Sequence, residues 1–417
     1  MDKERELNAL PPSIEKCREI IAKLSFDETH PGTLLRDMDT LLDFLKQNKV
    51  VASGKYHQLP MALLTKLNGL MTHPYPVALK RPQQRSYPQL QGLYLLARIT
   101  GLVTLSDSKK PLLQADPEQE QSWRKMGCQA RYAALLEAWL TRGDSSILGW
   151  QKSRYYREPL ASLLRAFDYV PRSKYLGDPP TLDMTRAADD INGLLGPHLI
   201  GLLHLFGLVD LRFGEPTENG PWQAKYLQAT PLGKALQKVL NSCFRADRYI
   251  QPEMDLETLW EIMPLLFPEW QGVPAIPDPE MRPGDHLFKI SYGKVWRRIA
   301  LPAEKTLDDL AFMILSVFDF DDDHLYMFQL QSPTGHKWEI NDSRGSDPDT
   351  ADEYPLGTLG LRDGARFTFL FDFGDNHEFN ICFEGVEPAS EENRKPRLLA
   401  SKGASPKQYP DWNESDW

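Results

Sequence analysis

Residues 367–384 read FTFLFDFGDNHEFNICFE, and the pairing of this stretch decides the C-terminal fold. Side chains of a strand point alternately to its two faces. Alternation puts Phe367, Phe369, Phe371 and Phe373 on one face and Thr368, Leu370 and Asp372 on the other. Gly374-Asp375-Asn376 has the composition of a tight turn. Beyond it, His377, Phe379, Ile381 and Phe383 share a face, with Glu378, Asn380 and Cys382 opposite. The stretch reads as a hairpin with one aromatic face. Such a face stacks nucleic-acid bases in some folds, but beneath a single helix it is the floor of a core.

Working outward, HLFKISYG (286–293) and KVWRRIALP (294–302) form two more strands joined at Gly293-Lys294. Thr306 with Asp309 three residues later predicts a capped helix whose buried face is Leu307, Leu310, Ala311, Ile314, Leu315 and Phe318. HLYMFQL and HKWEI add strands, an acidic loop covers 341–353, and a turn falls at Asp363-Gly364. Hairpin, one helix, then further strands predicts a β-grasp-like α+β domain over 286–388. Residues 389–417 read as a loose charged tail. Residues 267–285 hold five prolines (268, 274, 277, 279 and 283) and read as a linker.

Before the linker the period is helical. Ser13 predicts a cap for a helix over 13–24, residues 34–46 repeat the pattern, and Pro60 opens MALLTKLNGLM in its first turn. QLQGLYLLARITGLV is helical up to Gly101. Two short strands, LVTL and PLLQA, then flank the turn SDSKK, and Asp116 caps a following helix. About a hundred residues later the order recurs. HLIGLLHLFGLV ends near Gly207, VDLRF and AKYLQA flank GEPTENGPWQ, and Thr230-Pro231 opens KALQKVL. Gly101-Leu102-Val103 matches Gly207-Leu208-Val209, which predicts tandem winged-helix-like modules over 1–145 and 146–266.

The chain of 417 residues has a net charge of −10, unevenly distributed. Residues 51–110 carry 8 Lys or Arg against 1 Asp or Glu, and residues 121–175 carry 10 against 4. Residues 301–417 carry 10 against 24. A basic helical half and an acidic β-rich half leave nucleic acid open as a partner. The charged opening MDKERELNAL predicts no secretory leader. The apolar run Leu194–Val209 is broken by Gly196, Pro197, His198 and His204, and is a poor membrane span. Cys17, Cys128, Cys243 and Cys382 form no CxxC pair and read as buried reduced thiols of a cytoplasmic protein.

The hairpin resembles the tyrosine-aspartate-phenylalanine-glycine-aspartate signature of the plasmid pRiA4b ORF-3-like family. The matching residues are Phe371, Asp372, Phe373, Gly374 and Asp375, with His324 leading the strand HLYMF. KGASPKQYPDW is similar to that family's tail, so the resemblance covers roughly 286–411. HQLP (57–60), RPxxxSYPxxxGLYLLxRxxGL (81–102) and TPLG (230–233) are similar to the extension of its long members. Phe371 stands where the family has tyrosine. His377 and Phe379 stand where it has tryptophan and histidine, so no role of that histidine carries over. The resemblance implies an association with plasmids and mobile elements and no agreed activity.

Four groups are candidate sites. Asp372, Asp375, His377 and Glu378 form a carboxylate-rich hairpin with the donors of a divalent-metal or acid–base site, yet alternation turns His377 away from Glu378. Asp319, Asp321, Asp322, Asp323 and His324 have part of a calcium-loop spacing, but the sixth and twelfth positions hold His324 and Leu330 instead of Gly and Glu. Lys80, Arg81, Arg85, Tyr87 and Arg98, then Arg154, Tyr155, Tyr156 and Arg157, interleave cations with aromatics, as phosphate-binding surfaces do. The aromatic stripe is the fourth.

No nucleophile–base pair, Walker loop, dinucleotide glycine pattern or metal motif is present, and no cofactor is implied. The leading expectation is a non-enzymatic binding protein. Its partner is DNA or RNA, another protein, or its own acidic domain docked on the basic half. The second expectation is a metal-dependent hydrolase or nuclease using Asp372, Asp375 and the 319–323 turn.

Overall fold

The structure, a computed structural model, describes residues 11–106, 110–150, 159–170, 184–216, 222–245, 253–276, 278–331, 337–345, 349–388 and 395–409. The chain forms two compact units, residues 1–104 with 112–276, and residues 105–111 with 277–417. Helix and sheet are mixed, as an α+β protein requires.

The first unit begins with α1 (Pro12–Ile21), α2 (Leu34–Gln47), β1 (Val50–Val51), α3 (Met61–Leu70) and α4 (Pro88–Ile99). There follow β2 (Val103–Leu105), β3 (Leu112–Ala115), α5 (Pro117–Lys125), α6 (Cys128–Arg142), α7 (Pro159–Tyr169), α8 (Met184–Asp190) and α9 (Pro197–Leu205). β4 (Val209–Phe213), β5 (Ala224–Ala229), α10 (Pro231–Leu240), β6 (Phe244–Arg245), β7 (Glu253–Met254) and α11 (Leu256–Leu266) complete it. Two expected starts shift by a residue or two. α1 starts at Pro12 after Pro11, so Ser13 does not cap it, and Pro60 is the N-cap of α3 instead of its first helical residue.

The repeat, faint in letters, is exact in two hydrogen bonds. Gly101 and Gly207 both end a helix in the left-handed conformation, with φ of +73° and +67°. An L side chain resists that conformation and glycine does not. The Asp116 N–H then donates to the Leu102 carbonyl, and the Thr230 N–H to the Leu208 carbonyl, each at 3.0 Å. Both donors cap the helix they begin. Asp116 accepts from the Glu118 and Gln119 N–H groups and Thr230 from Gly233, with a proline next in each case.

α4 and α9 pack on each other at the centre of this unit. Every one of the 12 residues of α4 is buried, Gln89, Gln91 and Arg98 included. Glycines permit the approach. A Cβ on Gly201 would lie 2.2 Å from the Pro88 carbonyl oxygen, and one on Gly92 would lie 2.8 Å from the Leu202 side chain.

The second unit holds β8 (Asp285–Tyr292), β9 (Val295–Pro302), α12 (Leu307–Phe318), β10 (Tyr326–Gln331), β11 (Lys337–Asn341), β12 (Arg366–Phe371), β13 (His377–Glu387) and β14 (Arg397–Lys402). Its sheet runs β11-β10-β12-β13-β8-β9-β14 with every pairing antiparallel. The capping box of Thr306 and Asp309 forms as expected. Leu307, Leu310, Ala311, Ile314, Leu315 and Phe318 pack on Phe288, Ile299, Phe328, Phe369 and Phe379.

Two expectations change here. The tail is not loose throughout, because β14 joins the sheet edge against β9. Arg297 fastens it: the buried guanidinium donates to the carbonyls of Val317 (2.8 Å) and Gly403 (3.1 Å) and to Ser405 Oγ (3.1 Å). The phenylalanine stripe also stops one residue early. Phe367, Phe369 and Phe371 are buried, but β12 ends at Phe371 and Phe373 is 53% exposed. Asp372 has φ of +53°, which breaks the alternation between the two aromatics.

Candidate functional site

The signature turn is built around the Asp372 carboxylate, which is buried. Its Oδ1 accepts the Gly374 N–H at 2.8 Å and the Asp375 N–H at 3.4 Å. Its carbonyl accepts the Asn376 N–H at 2.7 Å, and its own N–H donates to the Leu325 carbonyl. Asn376 also has positive φ, +58°. Asparagine and aspartate tolerate this region because their short polar side chains bond locally. The turn is thus held from within by its first residue, and Phe373 projects outward.

His324 lies beside it. Its Nδ1 is 3.0 Å from Asp323 Oδ1 and 3.7 Å from Asp372 Oδ2. The hydrogen bond to Asp323 raises the imidazole pKa above its ordinary value, helped by the charges of Asp372, Asp323 and Asp375. The Tyr409 hydroxyl donates to Asp323 Oδ2 at 2.7 Å and lies 3.2 Å from His324 Nδ1. Gln408 accepts the Asp321 N–H and donates to Asp323 Oδ1. Arg344 Nη2 bonds Asp322 Oδ1 (2.8 Å), Asp342 Oδ2 (2.6 Å) and the His324 carbonyl (2.8 Å).

The acidic turn 319–323 is therefore satisfied in large part by this chain's own groups. Asp319 is the left-handed residue that ends α12, with φ of +63°. Asp322 belongs to Arg344, and Asp323 to His324, Gln408 and Tyr409. Arg344, Gln408 and Tyr409 were not singled out from the sequence. The signal available for the last two is the phrase KQYP in the stretch resembling the family tail.

The first candidate group does not converge. His377 faces the core with Phe379, as alternation predicts, and its Nδ1 lies 3.0 Å from the Tyr292 hydroxyl. Phe320 sits edge-on to the His377 ring at 5.1 Å. Glu378 and Asp375 are exposed, and Asp372 is occupied by its own turn. Among the described residues no three His, Cys, Asp or Glu side chains are grouped to hold a metal ion. The metal-dependent reading thus has no donor set there. Cys17 and Cys243 are buried, whereas Cys128 and Cys382 are only partly buried, which corrects the expectation of four buried thiols.

The basic candidates divide. Lys80, Arg81 and Arg85 are exposed. Tyr87 and Arg98 are buried, each at 2% exposure, which takes both out of reach of a phosphate backbone and corrects that expectation. Tyr87 lies 3.2 Å from the Thr65 hydroxyl. Arg98 donates to the Tyr94 hydroxyl at 2.8 Å, which in turn donates to the His57 carbonyl at 2.7 Å. Arg154, Tyr155, Tyr156 and Arg157 lie outside the described residues. No described helix is long and apolar enough to cross a membrane.

Residues 287–409 match the family model described as plasmid pRiA4b ORF-3-like protein, the family that the hairpin resembles. Among solved structures, a protein of unknown function, MM3350, from Methanosarcina mazei Go1 is similar. It is 28% identical over 29% of this chain and 70% of its own, with a TM-score of 0.27. No curated protein matches the chain.

Proposed function

We propose that this is a non-enzymatic adaptor that binds other proteins. In this reading tandem winged-helix-like modules (1–145 and 146–266) are joined through residues 267–285 to a β-grasp-like domain, in the cytoplasm of a cell carrying plasmids or mobile elements. Nucleic-acid and protein partners were equally open from the sequence. One observation favours protein. Helix–turn–helix modules read DNA with a helix laid in the major groove. The helices that precede the two strand pairs, α4 and α9, are spent on each other: α4 is buried along its whole length, and α9 buries Leu199 to Leu203 and Leu205. Tyr87 and Arg98 are buried with them.

The test is fluorescence anisotropy of the full chain with labelled duplex DNA and single-stranded RNA across a salt series. The expected result is no salt-dependent binding at low ionic strength. Binding that weakens steeply with salt and disappears in the Lys80→Ala/Arg81→Ala/Arg85→Ala triple variant would return the protein to the nucleic-acid class.

A further inference from the structure

In the second unit three large apolar side chains stay exposed around the signature turn: Phe373 at 53%, Leu325 at 42% and Tyr409 at 37%. They are connected. Tyr409 contacts His324 edge-on, with ring centroids 6.3 Å apart. Leu325 follows His324, and its carbonyl holds the N–H of Asp372, the residue before Phe373. Phe373 is not exposed for lack of a place inside. Its stripe partners Phe369 and Phe371 are fully buried, and two non-glycine residues of positive φ, Asp372 and Asn376, bracket the turn that turns it outward. Backbone held in such conformations collects at binding sites, where the fold has to present a side chain. A buried carboxylate that accepts two backbone N–H groups, and two backbone–backbone hydrogen bonds, hold this turn in place.

The rim is acidic. Asp321, Asp323 and Asp375 are exposed beside the apolar trio. Asp321 and Asp375 take part in no ion pair among the described residues. The His324 ring is set between Asp323 and Asp372, and Arg344 is engaged by Asp322 and Asp342. The whole stretch 301–417 carries 10 basic against 24 acidic residues. An aromatic anchor inside a charged rim has the anatomy of a protein-binding hot spot. Its sign selects the occupant, because a phosphate backbone would meet repulsion and a lysine- or arginine-bearing segment would meet attraction.

We propose that Leu325, Phe373 and Tyr409, rimmed by Asp321, Asp323 and Asp375, form the docking surface for a basic peptide segment of a partner protein that carries an apolar residue between its cations. The apolar residue packs on Phe373 and Leu325, and the flanking cations meet Asp321 and Asp375. This rests on the adaptor reading and names the chemistry of its partner.

The experiment is selection of a random-peptide display library on the immobilised full chain, followed by titration of the enriched peptides. Enriched sequences are expected to be net basic with an apolar residue. Phe373→Ser is expected to weaken them by roughly tenfold or more, Asp375→Asn by a few-fold, and added salt in the same direction. Phe373 is exposed, so its variant folds, and an unchanged thermal melt checks this. Absence of enrichment overturns the proposal, as do acidic or neutral enriched peptides, or binding indifferent to both variants. A solution mass twice that of the chain, returning to monomer in Phe373→Ser, overturns it in favour of a second copy as occupant. None of these outcomes bears on nucleic-acid binding, which the anisotropy experiment reads separately.

Discussion

The central helix of the first unit buries Gln89, Gln91 and Arg98 beside its leucines, whereas the face beneath α12 in the second unit is lined by Phe288, Phe328, Phe369, Phe379 and aliphatic residues. The polar groups of the helical unit tie distant segments together. Asn68 accepts the Tyr75 N–H and the Gln89 side-chain amide and donates to the Tyr75 carbonyl. Glu137 accepts the indole N–H groups of Trp260 (3.2 Å) and Trp270 (2.7 Å). Buried polar groups are tolerated when partnered, and partnered ones specify a single packing. The face beneath α12 relies on area instead: a helix over an aromatic floor needs little but shape and the exclusion of water.

The sharpest way to break this comparison is inside the phenylalanine stripe. Phe369→Ala is expected to lower the unfolding free energy by about 3–5 kcal/mol, measured by denaturant titration. In the helical unit the comparable lesion adds an atom instead of removing several. Gly201→Ala drives a Cβ against the Pro88 carbonyl and is expected to cost about 3 kcal/mol. Hydrogen exchange should show α4 and α9 losing protection while β12 and β13 keep theirs. Equal loss in both places would mean that the cores are not built on different principles.

Acid acts with opposite sign on two of the histidines, His198 and His324. Burial lowers the pKa of His198 to about 4. Its unfolded form takes a proton near 6.5, so the unfolded state binds more protons between those values and stability falls as pH drops through that window. At about 1.4 kcal/mol per unit the loss over that window is about 3–4 kcal/mol. His324 works in reverse. Its raised folded value gives a contribution that is complete below the unfolded pKa and is lost as pH rises through the folded one. Imidazole proton shifts against pH check both: His198 should stay neutral at pH 6, and His324 should titrate above its model-peptide value. A His198 that titrates near 6.5 would remove the effect.

The repeat predicts matched, smaller effects. Thr230→Ala and Asp116→Ala each remove the cap of the helix that follows a strand pair, and each is expected to cost about 1 kcal/mol. A marked inequality in thermal melts would show that the match is one of outline only. The smallest effect on stability belongs to Phe373→Ala, within about 0.5 kcal/mol, although Phe373 stands in the same stripe as Phe369.

The second unit was legible because one covered face imprints a period of two. The alternation on residues 377–383 placed His377 in the core and Glu378 outside before any contact was known, and the Thr306–Asp309 cap followed from three-residue spacing. The candidate site was half legible: the letters 371–375 and His324 marked the place, but the arrangement came from Arg344, Gln408 and Tyr409, which lie 22 to 87 residues from the turn's acidic partners. In the first unit Tyr87 and Arg98 read as surface residues from their side-chain types alone, although every residue from 86 to 100 is buried.

By itself, then, the sequence determined the change from helical to alternating period, the two capped repeats with their left-handed glycines, and the division of charge. Each rests on interactions within a few residues, which composition and spacing record. Only the tertiary structure decided that α4 is covered on every side, that β14 belongs to the sheet, and that Phe373 leaves its stripe. Those outcomes depend on which distant segment arrives at a face. A helix packed all round has no polar side to betray it, and the positive φ at Asp372 ends the strand and turns Phe373 outward before the alternation resumes at His377.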